Sequence, residues 1–479
     1  MRFVQKCLKC NRENDYANYA CHCDQPTWYK QYRLMDMVYR LKKNEKASAI
    51  ESLLIFDLES TQGILQYYFT PYRHHADDVN LKIGCTPFEK LEKLGKQWGT
   101  TIFAKDEGAN PSGCFKDRET LMTALHSRSI GKEKAVIYSS GNAAASAALF
   151  AAHLRFKLVT CVAGDTYPEK VEYIRNLGSD VIRIGDDKTN YESGYRLFAE
   201  LNSRDFFVEN NFDNWSVRNP FRTLGDKTMA IEIVKQFSKE QNADWLVPDL
   251  VVVPTGNGSC LAGIWRGFKE LKKLGLIEEL PTMVSAGIKN ASPVFQAFEK
   301  NMIHKPAVCD LAKVDQNDLE IGSIILAEEG YDSVEATKAL IESEGRAVEV
   351  TKDDIREVLK EFLSTETELV TNQQMLPEPA SLTTLAAIRQ MTLDKILDSQ
   401  SNAVAIITGH GAKAQQMLEK LLEGENNLKE TMRSAIPRES HVRIKDFEHK
   451  KGRLIEVGKD IRELENAFEQ LNKSLTKTT

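Results

Sequence analysis

From about Thr86 onward the chain alternates two hydrophobic patterns. Short apolar runs rich in β-branched residues read as strands at Thr101–Lys105, Ala135–Tyr138, Leu158–Val162, Val181–Ile184, Leu250–Pro254 and Ala403–Thr408. Most are followed by amphipathic or Ala-rich helical stretches, such as Asn142–Leu154, Pro168–Leu177 and Leu261–Leu271. Continuous apolar strands separated by helices predict parallel sheets covered on both faces, an α/β architecture. The stretch before about Leu81 mixes charge and aromatics and reads as loops and short elements. In the tail, Leu454, Val457, Ile461, Leu464, Phe468, Leu471 and Leu475 recur at alternating steps of three and four, an a/d heptad seam. Three heptads either pair with a second subunit or form a helix laid on their own domain.

Composition narrows the class. The 479 residues suffice for roughly three domains. A net charge of −6 argues against nucleic acid or an anionic membrane as the main partner. The first residues lack the apolar core of a signal peptide, and the small-apolar run Ala143–Leu154 is too short to span a bilayer. Nine cysteines scattered over a long chain fit a reducing compartment, so a cytoplasmic location is expected.

Four segments carry candidate chemistry, and each ends a predicted strand or opens a helix after a turn. In Leu250–Trp265 an apolar strand enters Gly256-Asn-Gly258-Ser-Cys260 and then a helix, so backbone amides and the helix dipole converge on an anion. The loop lacks the third glycine of a dinucleotide fingerprint (Leu261 stands there) and the Lys of a Walker loop. Asn110-Pro-Ser-Gly113 is a strong turn leading into Cys114-Phe-Lys-Asp-Arg118. A lysine at such a helix start is ordinarily solvated, but the helix end lends positive potential and Phe115 lends desolvation, both of which favour an imine-forming amine. Ser139, Ser140 and Asn142 open another helix and suit a carboxylate, or simply cap it. Thr408-Gly-His-Gly411 closes the last strand, and His410 reads more readily as structural than as a base. Ligands of open α/β sheets bind at these carboxyl ends. An anion loop, a candidate imine lysine and a carboxylate loop together describe a site for pyridoxal phosphate and an amino acid.

These pieces, in this order, resemble threonine synthase and its relatives, the fold-type-II pyridoxal-phosphate enzymes. The residues that carry the likeness are Asn110–Arg118, Ser139–Asn142, Asn219–Thr228, Pro254–Gly258, Glu378-Pro-Ala-Ser381 and Thr408–Gly411, within roughly 80–425. The resemblance implies two parallel-sheet domains with the cofactor between them, a small Cys-rich head and a helical tail. Its boundaries would be 1–45 for the head, 46–130 with 200–430 for the large domain, 131–199 for the small one and 431–479 for the tail. It implies Lys116 as the Schiff-base lysine and α-proton shuttle, with Phe115 packed beside the cofactor. Asn142 would bind the phenolic oxygen, Gly256, Asn257, Gly258, Ser259 and Cys260 the phosphate, and Thr408 the pyridine nitrogen. Ser139, Ser140 and position 143 would hold the substrate carboxylate, and Arg222 its anionic tail.

The departures bear on substrate. Ala143 stands where relatives place Thr, Ser259 where they place Gly, and Cys260 where they place Asn. The resemblance implies, as the leading expectation, conversion of O-phosphohomoserine to threonine and phosphate by a cytoplasmic homodimer, while the departures retain the cofactor residues and alter the substrate ones. The alternative is β-replacement or elimination on another activated amino acid such as O-phosphoserine, as in cysteate synthesis. A non-catalytic protein working through its tail is a third reading, opposed by the intact Phe-Lys-Asp-Arg and Thr-Gly-His-Gly segments. Cys7, Cys10, Cys21 and Cys23 supply the four thiols of a structural zinc, although one residue rather than two separates the second pair. Either zinc or a metal-free cysteine head is open.

Overall fold

A computed structural model describes residues 50–60, 62–66, 79–216, 219, 221–303, 307–310, 313–315, 318, 329–330, 332–436 and 451–475, and the backbone of three strands before residue 41. Those strands, β1 (Arg2–Cys7), β2 (Glu13–Asp15) and β3 (Met35–Arg40), form an antiparallel sheet in the order β2-β1-β3. The side chain of Cys7 and all of Cys10, Cys21 and Cys23 lie outside the described residues.

The strands of the main body are β4 (Phe88–Lys90), β5 (Thr101–Asp106), β6 (Lys134–Tyr138), β7 (Lys157–Ala163), β8 (Asp180–Ile184), β9 (Phe212–Asn214), β10 (Leu250–Pro254), β11 (Thr282–Ile288), β12 (Ala307–Val308), β13 (Glu329–Gly330), β14 (Arg346–Val350), β15 (Asn402–Ile407) and β16 (Leu454–Val457). The larger sheet runs β14-β11-β10-β15-β5-β4, parallel except for β4 at its edge. The smaller runs β16-β8-β7-β6-β9 and is parallel throughout. Each is buried on both faces, as its continuous apolar strands require. On β10, Leu250 and Val252 enter one core with Leu385 and Phe362, while Val251 and Val253 enter another with Phe268 and Ile406. All six strands read from the sequence are present. In the larger sheet the sequence reading passes over β4, β11 and β14, the last with the alternating Arg-Ala-Val-Glu-Val pattern of a half-exposed edge strand.

The tail differs from the heptad reading. Its helix runs from Ile461 to Leu475, but Leu454 and Val457 lie in β16, which pairs with β8. Gly458 leaves the strand, and Asp460 then accepts the amides of Arg462 (2.8 Å) and Glu463 (3.2 Å), starting the helix afresh. Leu464, Phe468 and Leu471 face inward. Phe468 meets Phe206, Phe207 and Phe212 at centroid distances of 5.8, 5.2 and 5.8 Å. The seam is spent on the chain's own small sheet.

One buried group makes the fold acid-sensitive. His126, on the helix Lys116–Ser129, stacks on Phe221 with centroids 3.6 Å apart, and burial pulls its pKa from 6.5 down to about 3. With the folded value below the unfolded one, full stability holds above pH 6.5 and is lost as pH falls towards 3. From pH 7 to 5 the loss from this residue is about 1–2 kcal/mol. Denaturant titrations of the wild type and His126→Phe at both pH values check this. Equal pH slopes would refute it.

Candidate active site

The carboxyl ends of β5, β10 and β15 in the larger sheet and β6 in the smaller carry the four candidate segments. After β5, the chain turns at Asn110–Gly113. Gly113 takes φ +76°, the left-handed region, and its amide closes the turn on the Asn110 carbonyl at 2.7 Å. The Asn110 side-chain nitrogen donates to Glu107 Oε2 at 2.8 Å, and its side-chain oxygen Oδ1 accepts the Gly84 amide at 2.9 Å. The segment is tied to the end of β15 as well, since the Phe115 amide donates to the Thr408 carbonyl at 2.9 Å. Asp117 then accepts the Ser112 amide and the Ser146 hydroxyl, both at 2.6 Å, which fixes the Lys116 helix to the Asn142 helix. Lys116 is thus the first residue of a clamped helix, and its Nζ lies 4.2 Å from the Phe115 ring centroid.

Lys116 does not stand alone. Its Nζ donates to Glu119 Oε1 at 3.0 Å, one turn along the same face. The Arg222 guanidinium donates to the other oxygen of Glu119, and the Ser259 hydroxyl lies 3.4 Å from Oε1. Burial opposes charge on Glu119, but Arg222 and Lys116 overcome it and hold the carboxyl below its usual range. Asp226 is buried beside this group, no donor among the described residues reaches either of its oxygens, and burial together with Glu119 pushes its pKa well up. Each carboxyl opposes ionisation of the other, and the charge is favoured on Glu119, which holds both cations, over Asp226.

Asn142 and Thr408 meet on a third acid. The Asn142 amide donates to both oxygens of Glu378 at 3.1 and 2.9 Å, and the Thr408 hydroxyl donates to Glu378 Oε1 at 3.3 Å. Ser381 and Thr408 share a hydroxyl contact of 3.0 Å. His410 is structural, with Nε2 2.8 Å from the Gln374 carbonyl and Nδ1 accepting the Ala412 amide at 3.1 Å. Ser139 Oγ accepts the Gly141 amide of its own turn at 3.2 Å, and Ser140 is half-buried. Ala143 packs against the apolar cluster that includes Leu121, Ala147 and Phe150. Cys260 is buried, and burial pushes its thiol well above the ordinary range, so it is a neutral group.

Do these residues suit pyridoxal phosphate? Gly258 has φ +104°, and a Cβ there would meet that of Ala336 at 2.7 Å, so the turn admits glycine alone. It delivers the chain into the 16-residue helix Ser259–Leu274, whose first amides have no partner within the helix. Next to that end, the Asn257 side-chain oxygen and Arg222 NH1 are buried without hydrogen-bond partners among the described residues. Amide donors, a free guanidinium nitrogen and the Lys116 amine suit an aldehyde-bearing phosphate, with Asn142 and Thr408 placed together for its ring. The residues fit. A cavity of about 670 Å³ lined by Arg346, Glu349 and Arg389 shares no residue with this site.

Glu119, Asp226 and Glu378 were not assigned roles from sequence. Glu119 had a signal, because it lies three positions from Lys116 on one helix face. Glu378 and Asp226 stood inside motifs, but what they touch depends on chain brought in from more than 100 residues away.

A fold of two largely parallel sheets with an anion-ready helix end, a clamped lysine and an amide and a hydroxyl meeting on Glu378 is that of a cofactor-dependent α/β enzyme of fold type II. Residues 79–409, more than half of the chain, match the family of pyridoxal-phosphate dependent enzymes, and the chain belongs to it. The likeness to threonine synthases read from the motifs holds. The chain is 29% identical to the threonine synthase of Methanocaldococcus jannaschii over 86% of its length and 93% of the relative's. It is 26% identical to that of Methanosarcina acetivorans, over 86% and 92%. Among solved structures, threonine synthase from Escherichia coli shares the fold with a TM-score of 0.67 at 14% identity, covering 98% of this chain and 99% of that one. No described helix is long and apolar enough to cross a membrane, and no cluster of three or more metal-ligating side chains occurs among the described residues.

Proposed function

We propose that this enzyme is a threonine-synthase-like lyase that converts O-phosphohomoserine and water to threonine and phosphate. The observation that carries the reading is the convergence of the Lys116, Asn142, Gly256 and Thr408 segments at the carboxyl ends of parallel strands, in a chain similar to threonine synthases over most of its length. Bound pyridoxal phosphate supplies an electron sink for the substrate's Cα. The protein does the rest. Lys116 anchors the cofactor and moves protons at the substrate carbons through Nζ. Amides from Gly256 to Cys260 hold the cofactor phosphate, while Glu378 aligns the Asn142 amide and Thr408 faces the ring nitrogen as a neutral hydroxyl. Ser139 and Ser140 receive the substrate carboxylate, and Arg222, which meets Glu119 beside the Ser259 helix end, is shared by the cofactor's phosphate and the substrate's. The Cγ–O bond breaks with release of phosphate, and water adds its hydroxyl at Cβ.

A second reading, β-replacement or elimination on O-phosphoserine, is favoured by Ala143 and Cys260, which give the substrate an apolar wall and a neutral thiol. Incubation with phosphohomoserine alone, then phosphoserine with sulfite or sulfide, separates the two. Threonine and phosphate in equal amounts are expected from the first. Phosphate release from phosphoserine alone would transfer the assignment to the second. The proposal extends to a cytoplasmic homodimer, to a Cys-rich head with a large and a small domain, the small one taking in β9, β16 and the tail helix, and to structural zinc on Cys7, Cys10, Cys21 and Cys23, for which metal analysis of the purified chain is the check.

A further inference from the structure

The four segments converge on an anion seat that already contains an anion. At the N-terminus of the Ser259 helix the available positive groups are the helix amides, Lys116 Nζ and the Arg222 guanidinium. Both side chains point at one carboxylate. Glu119 takes Lys116 at 3.0 Å on one oxygen and Arg222 on the other, with Ser259 Oγ 3.4 Å away. It is not a surface residue that strayed inward, since only 1% of its side chain is exposed. Asp226 completes the group from the Arg222 helical turn, its oxygens buried with no donor and Gly263 of the Ser259 helix packed against its Cβ. Arg222 still has one nitrogen, NH1, buried and unpartnered among the described residues. The guanidinium is therefore half used by Glu119 and half free for a further acceptor.

We propose that Glu119 is the internal counter-ion of the phosphate seat, competing with incoming phosphate for Lys116, Arg222 and the end of the Ser259 helix. A phosphate seated on the Ser259 and Cys260 amides lies within a few ångströms of the Glu119 carboxylate, because Ser259 itself touches it. Phosphate enters as Glu119 gives way, and NH1 of Arg222 is the donor left to receive it. Glu119 is on these terms a positioning and selectivity residue. It holds the lysine and the arginine in place, and it sets how much positive potential a phosphate finds. The inference rests on the proposed function only in taking the seat to be the cofactor's. The competition for phosphate stands on the contacts alone.

The test compares the full-length wild type with Glu119→Gln/Asp226→Asn, which keeps the shape and leaves neither carboxyl to carry the charge, and with Glu119→Ser/Asp226→Asn should the first variant not fold. Inorganic phosphate is the first probe, read by its protection against thermal unfolding. Pyridoxal phosphate and pyridoxal, which lacks the phosphate, are the second and third, read by absorbance titration. Removing one like charge at this range is expected to lower the half-saturating phosphate concentration about tenfold or more. Affinity for pyridoxal phosphate should rise by about tenfold more than affinity for pyridoxal, on the same electrostatic ground. Equal phosphate affinities, or equal gains for the two pyridoxal forms, overturn the proposal. If neither protein takes up pyridoxal phosphate but the phosphate difference persists, the cofactor reading falls and the counter-ion role stands.

Discussion

Lys116→Ala is expected to abolish covalent attachment of pyridoxal phosphate and to lower turnover about 10³-fold or more, the scale of a lost proton-transferring group. The geometry singles this lysine out. Its backbone is held by the turn at Gly113, by the Phe115–Thr408 bond and by Asp117 bridging to Ser112 and Ser146, so its Nζ is delivered to one place. Lys413, the neighbouring amine, is held by the carbonyls of Ser112 (3.1 Å) and Gly113 (2.8 Å). Borohydride reduction followed by peptide mass analysis reads attachment directly, and a reduced adduct on Lys116→Ala would refute the assignment. Lys116→Arg adds a control. It keeps a cation for Glu119 while removing the amine that bonds the cofactor, so loss of attachment in both variants with a preserved melting temperature in the arginine variant isolates the chemistry from the ion pair.

Much of this site was legible because it depends on local sequence. A strand, a Gly- or Ser-containing turn and a helix start are written in adjacent residues, and parallel packing sends all such turns to one edge. Asn110–Arg118, Ser139–Asn142, Gly256–Cys260 and Thr408 could therefore be read in order. The acids could not. Glu378 meets Asn142 across 236 residues, and Asp226 acts on Glu119 only because the Arg222 helical turn packs on the Lys116 helix. The tail misled for a related reason. Its apolar spacing fits a heptad across a break at Gly458 and Asp460, and only strand pairing between β16 and β8 tells a registered seam from a strand followed by a helix.

The same reasoning applies to the charge buried beneath the lysine. Arg118 is wholly enclosed and donates to both oxygens of Glu107 (2.7 Å each), to both of Glu232 (2.6 and 2.8 Å) and to Thr228 at 2.9 Å. Lys105, also without exposure, joins Glu232 at 2.7 Å. Two cations thus balance two carboxylates, and every strong donor of Arg118 is used. Taking such groups out of water is costly, so an intact network adds little by itself, but an incomplete one strands its partners. Arg118→Ala would leave Glu107 and Glu232 buried with Lys105 as their only cation in this group, along with a void the size of a guanidinium. The expected loss is about 3–5 kcal/mol, a large share of a typical domain's 5–15 kcal/mol. Arg118→Lys cannot serve both carboxylates in a fork and should recover only part of it. Denaturant titration gives the numbers, and a loss below about 1 kcal/mol would mean that water enters and replaces the guanidinium. Combining Arg118→Ala with Glu107→Gln and Glu232→Gln makes a sharper measurement. If stranded charge is the cause, removing the carboxylates restores part of the stability lost with the arginine, whereas a pure packing defect leaves the substitutions additive or worse.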